Sequence, residues 1–293
     1  MTPRPIRQRF LPAKRIAAWG FLLLAPATWT ARCAAQAGEA PELTQEQAQA
    51  LVQRALANEI SAAGERNHPM RYRLHKVTPH LTTTKKIIET ADGDVARLIG
   101  VNGKPLSAEA ERKELARLDA LNANPADQDH RKQSEMTDQG RAIKILRALP
   151  KAFVYRYTGP GSSGVGAVET YTFTPNRNYS PSGMETQILT AMTGTITVDP
   201  AAKRVVHLEG HLQHAVDYGL GIIGRLNKGG WLALDQAPVV DGRWRTVRLQ
   251  LAMTGRILFF TKTYDLVEEE SDFEPVKEGL GYREAIGMLR KDP

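Results

Sequence analysis

The sequence predicts an α+β fold in which an antiparallel β meander carries an N-terminal helix and a two-helix insertion. Three observations predict this class. About ten short β-prone segments are separated by Gly, Pro and Asp. These segments follow one another without the strand–helix alternation that a parallel sheet requires. Helical periodicity is confined to residues 45–60 and 107–149.

The first predicted element is a helix over Gln45–Ile60, which Gly64 and Pro69 are expected to close. Leu43, Thr44 and Gln47 form the pattern of a hydrophobic residue, an N-cap and a capping-box partner. Two interpretations of this helix are open, a permanent plug packed on the sheet or a movable lid over a ligand cavity. Its apolar face is formed by Leu51, Val52, Leu56 and Ile60.

The predicted strands begin with three short segments before the insertion, and Asp92-Gly93 is typical of the hairpin turn between the second and third. A further set follows the insertion, separated by glycine, proline and aspartate. The candidates are Tyr72–Val77, Lys85–Thr90, Val95–Val101, Val154–Thr158, Val168–Phe173, Leu189–Val198, Arg204–Val216, Trp231–Val239, Trp244–Met253 and Ile257–Leu266.

The insertion at about residues 107–149 is rich in Ala, Glu, Arg, Lys and Gln, which is typical of two solvated helices. Pro150 is expected to end the second helix. The polar segment Gln128–Ser134 is expected to be mobile relative to the sheet, because it carries few apolar residues. Residues 38–293 are therefore expected to form a single domain that contains this insertion.

Residues 1–37 have the three parts of a secretory signal peptide. A basic segment precedes an apolar stretch at residues 16–29, which is shorter than the roughly 20 residues that span a bilayer. Small residues at 35–37 form an Ala-x-Ala cleavage site. Arg32 directly before Cys33 disfavours lipidation, and no other segment is long and apolar enough to cross a membrane. The protein is expected to be periplasmic or secreted, and not a lipoprotein.

The net charge of +7 belongs mostly to this leader. Residues 1–37 contain six basic and no acidic side chains, whereas the remaining chain has 33 basic and 32 acidic residues, a balance of +1. A nucleic-acid partner needs a basic surface on the folded domain, so none is expected.

Two sequence patterns resemble functional sites, and neither is predicted to be one. Gly159–Gly164 matches the spacing of a dinucleotide-binding loop, but a strand follows where that motif needs a helix, so a hairpin loop is expected. The Glu268–Glu270 run is expected to be a solvated strand end. We predict no catalytic residue and no cofactor.

His207, Glu209 and His211 alternate on a predicted strand and therefore project from one face. Two imidazoles and a carboxylate are weak candidates for a metal site. An ordinary solvated sheet face is the competing interpretation. Val206, Leu208 and Leu212 are expected on the opposite, buried face.

The same half of the chain holds candidate ligand-lining residues. Two interpretations of its aromatic residues are open: they line a ligand cavity, or they belong to an ordinary hydrophobic core. The strand Trp244–Met253 adds an alternating apolar stripe. The candidates are Tyr218, Trp231, Trp244, Leu249 and Leu251.

Two segments carry a resemblance to known families. Met192–Gly210, with its strand, turn and outgoing strand, resembles the hairpins of the periplasmic outer-membrane lipoprotein-sorting carriers, which implies an unclosed half-barrel covered by helices. Tyr218–Gly230 and Leu146–Pro150 resemble motifs of secreted proteins from environmental bacteria of the Acidobacteria type, over most of residues 70–275. That second resemblance implies no activity. No functional residue of the carriers matches a position here.

Three classes of function follow from these features. The first is a non-enzymatic envelope protein that binds a lipid, an acyl chain or a lipoprotein in a half-barrel. The second is a structural or sensory envelope protein that binds another protein on its sheet. A secreted hydrolase or metal-dependent enzyme is the third, and it would need convergent polar residues in a pocket.

Overall fold

A computed structural model describes residues 43–65, 68–219, 224–257 and 260–292. These residues form five α-helices and an antiparallel sheet of thirteen strands, which confirms the predicted fold class. None of these helices has the length and apolar character of a membrane span. The predicted signal peptide and Cys33 lie outside the described residues.

The helices and strands have the following bounds. The helices are α1 (Gln45–Gly64), α2 (Ala108–Ala123), α3 (Pro125–Ala152), α4 (Met184–Gln187) and α5 (Tyr282–Lys291). The strands are β1 (Met70–Val77), β2 (Thr82–Ile88), β3 (Val95–Val101), β4 (Lys104–Pro105), β5 (Phe153–Ser163), β6 (Gly166–Pro175), β7 (Met192–Asp199), β8 (Arg204–Leu212), β9 (Val216–Tyr218), β10 (Gly224–Leu226), β11 (Trp231–Pro238), β12 (Trp244–Ile257) and β13 (Phe260–Pro275).

The sheet is open. Its order is β4-β3-β2-β1-β13-β12-β11-β8-β7-β6-β5, and the β9–β10 hairpin attaches to β12 through β10. Because β4 and β5 form separate edges in the described part of the chain, the sheet does not close on itself. This confirms the predicted unclosed arrangement, and the pairing of β1 with β13 places the first and last long strands side by side.

The helical insertion connects the two edges of the sheet, since α2 follows β4 and α3 leads into β5. The prediction that Pro150 ends α3 is wrong, because the helix continues to Ala152. Proline in the last turn removes a single N–H donor, which a helix end tolerates better than a helix interior.

The polar part of α3 is attached to the sheet through hydrogen bonds. The buried Gln128 amide donates to the carbonyls of Asp92 and Gly93 at 2.9 and 3.0 Å. A carboxylate oxygen of Glu135 accepts the backbone N–H of Asp94 at 3.0 Å. Residues 128–134 are expected from the sequence to be mobile because they carry few apolar side chains. These hydrogen bonds oppose that mobility, since they attach the segment to the sheet through polar side chains instead.

Helix α1 begins where the sequence predicts. Thr44 and Gln47 form the complete capping box, with each side chain bonded to the backbone of the other residue. The helix runs past Ile60 and ends at Gly64, as the sequence predicts. Its buried side packs on β5, β7, β8 and α3, and we call the sheet face that it covers the inner face.

The main core lies between α1, the end of α3 and the inner face. Phe153, Tyr155, Tyr171, Phe173 and Ile196 form its sheet side. From α1 it receives Ala48, Val52, Ala55 and Leu56, each with no exposed surface. The helix therefore has a closely packed position on the β5–β8 half of the sheet.

A second core lies where α2 and α5 pack on β2 and β3. It contains Ile88, Val95, Leu118, Leu121, Leu280, Ala285, Ile286 and Leu289. No predicted element corresponds to α5, although Ala285, Ile286 and Leu289 have helical spacing and are all buried.

Several predicted boundaries need correction. Residues 188–191 form a 3₁₀ turn, so β7 begins at Met192 and not at Leu189. The predicted strand Arg204–Val216 divides into β8 and the start of β9. Most of Gly159–Gly164 belongs to β5 and not to a loop, since Gly159–Ser163 pair with β6. The Glu268–Glu270 run lies inside β13 and not at its end.

Candidate functional site

Six leucines on four neighbouring strands form an apolar surface on the inner face. Leu208 of β8, Leu234 of β11 and Leu249 of β12 occupy one cross-strand row. Leu232, Leu251 and Leu266 occupy the next row, on β11, β12 and β13. We call these six residues the leucine band. Every member is only partly buried, so the band offers apolar surface to a ligand.

The leucine band is continuous with the main core. Leu208, Leu232 and Leu251 pack against the buried residues beneath α1. Leu234, Leu249 and Leu266 extend the same apolar face towards β13. The inner face therefore has a part that α1 covers closely and a part whose apolar side chains remain partly exposed.

Two glycines allow the strands to approach closely beside the band. Gly194 and Gly210 are directly paired between β7 and β8. A Cβ atom on Gly194 would lie 1.8 Å from the carbonyl oxygen of Glu209 and 2.8 Å from the Phe173 ring. Met192 fills the space above Gly210 in the same way. A side chain at Gly194 would force β7 and β8 apart, and one at Gly210 would displace the Met192 side chain.

The predicted helix residues divide into core and periphery. Val52 and Leu56 are fully buried in the main core, and Leu51 packs against it. Ile60 is partly buried and does not belong to that cluster of contacts. Glu59, and not Ile60, occupies the last position on the buried side of the helix.

Glu59 connects α1 to two strands. Its Oε1 accepts Arg204 Nε at 2.7 Å and the backbone N–H of Val205 at 3.0 Å. Its Oε2 accepts Arg204 Nη2 at 2.9 Å and Gln236 Nε2 at 3.2 Å. A buried carboxylate with these donors is well compensated. No spacing rule marked this residue in the sequence, because it stands within an otherwise apolar helix face.

The predicted ligand-lining residues do not form one cluster. Leu249 and Leu251 belong to the leucine band, and Tyr218 packs against the main core. Trp231 lies on the opposite face of the sheet, which we call the outer face. Its ring stacks there on His211, with the two ring centroids 6.4 Å apart. Trp244 lines a different cavity of about 650 Å³.

That cavity is bounded by α1, α3 and the ends of several strands, and its lining is strongly charged. The Arg204 guanidinium lies 5.8 Å from the centroid of the Trp244 ring. Arg245 and Glu89 form an ion pair in the cavity wall. Glu89 also accepts the backbone N–H of Met70 at 2.9 Å. Because its lining is so rich in charged side chains, this cavity suits an apolar ligand less well than the leucine band does.

The histidine-rich strand forms a ladder of hydrogen bonds on the outer face. His207 Nδ1 lies 2.6 Å from Asp235 Oδ1, and His211 Nε2 lies 2.6 Å from Glu209 Oε1. The hydrogen bond from His211 lowers the pKa of Glu209 below its usual value. Among the described residues, no group of three or more His, Cys, Asp or Glu side chains has an arrangement that would hold a metal ion.

Val206 corrects the predicted face of this strand. The pairing of β7 with β8 shifts by one residue between Thr197 and Val198. This β-bulge places Val205 in the main core, while Val206 lines an outer-face cavity with His207. The strict alternation assumed from the sequence therefore fails at one position.

Polar residues limit the leucine band on β13. Glu268 is paired with Leu249 across the strands and binds Lys76 Nζ at 2.7 Å. Glu270 follows on the same face, where burial raises the pKa of its carboxyl group to about 7. The nearby Glu89 raises this pKa further, and Arg245 partly offsets the effect. Along β13 the inner face therefore changes from an apolar side chain, Leu266, to the carboxyl groups of Glu268 and Glu270.

No protein-family model matches this chain, and no curated protein matches it. One similar crystal structure is described as an outer membrane lipoprotein-sorting protein domain from Vibrio parahaemolyticus. It is 10% identical, with a TM-score of 0.32, over 83% of this chain and 99% of that chain. Another is a DUF1329 family protein from Desulfovibrio piger, 11% identical with a TM-score of 0.27, over 78% and 92% of the two chains. The first of these proteins is described as belonging to the lipoprotein-sorting class that Met192–Gly210 resembles. Similarities at this identity and TM-score carry no inference about ligand or mechanism.

Proposed function

We propose that this protein is a non-enzymatic carrier of the cell envelope that holds an acyl chain of a lipid or lipoprotein on its leucine band. The observation that carries the proposal is the alignment of six partly exposed leucines in two adjacent rows of one sheet face. Contiguous apolar side chains that remain partly exposed are typical of a binding surface. Leucine side chains supply binding and no chemistry, which favours a carrier over an enzyme.

The dimensions of the band suit an extended acyl chain. Four strands at a spacing of about 4.8 Å provide roughly 14 Å of apolar surface across the sheet. Burial contributes about 0.8 kcal/mol per methylene group, so ten buried groups would contribute on the order of 8 kcal/mol. That free energy alone corresponds to a dissociation constant of about 1 μM. The cost of ordering the ligand weakens the binding from this value, so a dissociation constant between roughly micromolar and millimolar is expected.

The tripartite leader at residues 1–37 supports a periplasmic or secreted location for this activity. An acyl chain has very low solubility in the aqueous space outside the cytoplasmic membrane. A protein that shields such a chain there would need an apolar surface that is reachable from solvent, as the leucine band is.

A charged substitution in the band tests the proposal. Leu249→Asp should weaken the binding of a fluorescent fatty acid at least about tenfold, because the carboxylate must lose water when the chain binds. Leu249→Ala should have a smaller effect in the same direction. The readout is a fluorescence titration, accompanied by a melting temperature that shows each variant to be folded.

Leu81→Asp serves as the matched control, since Leu81 is 46% exposed and lies outside the band. It should bind the probe as the wild type does. A wild-type protein that binds no fatty acid would overturn the proposal, as would equal affinities for the wild type and both Leu249 variants.

A further inference from the structure

The hairpin formed by β12 and β13 extends beyond its neighbouring strands. β11 pairs with β12 only up to Ala252, and β1 pairs with β13 only from Val267 onwards. Beyond the end of β11, β12 pairs instead with the short strand β10, at residues 255–257. We call residues 253–257 and 260–265, which extend beyond β11 and β1, the projecting end of the hairpin. These residues do not belong to the leucine band.

Apolar side chains are unusually exposed at this end. Phe260 is 76% exposed, the highest value for a large hydrophobic residue in the described part of the chain. Met184 and Tyr264 are 51% and 39% exposed and line a cavity of about 330 Å³ there. Exposing such groups costs free energy in water, so a surface that covers them is expected.

Basic side chains surround these apolar groups. Arg225, Arg256 and Lys262 are exposed and line the same cavity. The Lys262 ammonium lies 4.8 Å from the centroid of the Tyr264 ring. The described lining of this cavity contains these three basic side chains and no acidic one, so positive charge predominates there. The nearby Asp217 forms an ion pair with Arg225 at 3.6 Å.

Aromatic residues beside lysine and arginine match the chemistry of a membrane surface. Tyrosine and phenylalanine rings partition into the interface between headgroups and acyl chains. Each lysine or arginine near an anionic leaflet contributes about 1 kcal/mol. A narrow projecting end can enter the headgroup layer, whereas a protein partner would favour a broader and flatter patch.

We propose that the projecting end of the β12–β13 hairpin docks on an anionic lipid bilayer through Phe260, Tyr264 and Met184, surrounded by Arg225, Arg256 and Lys262. Docking itself does not depend on the proposed carrier function. On β13 the same face continues from Phe260 through Lys262 and Tyr264 to Leu266 of the leucine band. A chain leaving the bilayer would therefore meet the band directly.

Vesicle binding tests this surface. The wild-type protein should co-sediment with vesicles of phosphatidylcholine containing phosphatidylglycerol more strongly than with phosphatidylcholine alone, and added salt should weaken the binding. Phe260→Ser and Lys262→Glu should each reduce the affinity for the anionic vesicles about tenfold. Both positions are exposed, so neither change should lower the melting temperature.

Met136→Ser and Arg131→Glu provide the matched controls, because both residues are exposed on α3 away from this end. They should bind the vesicles as the wild type does. The proposal is overturned if the wild type shows no preference for anionic vesicles, or if Phe260→Ser and Lys262→Glu bind like the controls.

The same variants separate this proposal from the carrier function. Phe260→Ser should retain fatty-acid binding in solution, because Phe260 is not part of the leucine band. Loss of vesicle binding with retained fatty-acid binding supports docking by this end. Vesicle binding by a wild-type protein that takes up no fatty acid would leave docking intact and overturn the carrier function alone.

Discussion

A charged side chain, Glu59, attaches helix α1 to the sheet. Glu59 stands on the buried side of α1, where a helical pattern calls for an apolar residue. Its two oxygens accept hydrogen bonds from Arg204, Val205 and Gln236. A buried carboxylate is tolerated only when such donors compensate the lost water. The residue therefore fixes the position of the helix along β8 as well as its presence on the sheet.

Glu270 makes the stability of the protein depend on pH. Burial raises its carboxyl pKa from 4.5 to about 7 in the folded state. The buried carboxyl group stabilises the folded state in its neutral form. This contribution to the free energy of unfolding is fully present below pH 4.5, decreases as the pH rises, and is lost above about pH 7, where the folded protein must also ionise the group. Glu270→Gln should remove this dependence, with a gain on the order of 2 kcal/mol at pH 8 and little change at pH 4.5. Urea unfolding at the two pH values measures the difference, and parallel pH profiles for both proteins would contradict it.

At the scale of single elements, the close approach of β7 and β8 depends on Gly194. A methyl group there would meet the Glu209 carbonyl at 1.8 Å, and backbone cannot move aside as a flexible side chain can. Gly194→Ala should therefore destabilise the fold by roughly 2 kcal/mol. Gly140→Ala is the matched control in α3, where no atom lies within 4 Å of the added group. It should stabilise the helix by about 1 kcal/mol, so thermal unfolding should move the two variants in opposite directions.

The sequence pattern predicts elements with strong local signals and misses those that depend on distant contacts. The Thr44–Gln47 capping box and the Asp92-Gly93 turn are local, and both mark their elements correctly. The face of Val206 is not local, because a bulge in the pairing with β7 decides it. Leu249 and Leu251 were found by alternation on their own strand. Leu232, Leu234 and Leu266 join them only through cross-strand register, which one strand's sequence does not contain.

For the molecule as a whole, the position of α1 decides how much of the inner face remains available. The complete burial of Val52 and Leu56 favours the plug over the lid on the β5–β8 half. Leu56→Asp should then lower the free energy of unfolding by roughly 3–5 kcal/mol, because it buries an unpaired charge. Leu81→Asp should change this value little, and urea unfolding compares the two. A folded Leu56→Asp variant with increased fatty-acid uptake would identify a lid instead.

The pairing of β1 with β13 has a consequence for the kinetics of folding. Met70 pairs with Pro275, so contacts at the centre of the sheet join residues about two hundred positions apart. The β1–β3 meander can form early from local contacts, but its link to the other strands requires almost the entire chain. Such a topology folds slowly, since the loop must close before the long-range pairing stabilises it. During synthesis the nascent chain would therefore have no complete sheet, and it would reach its final structure only after β13 has been made.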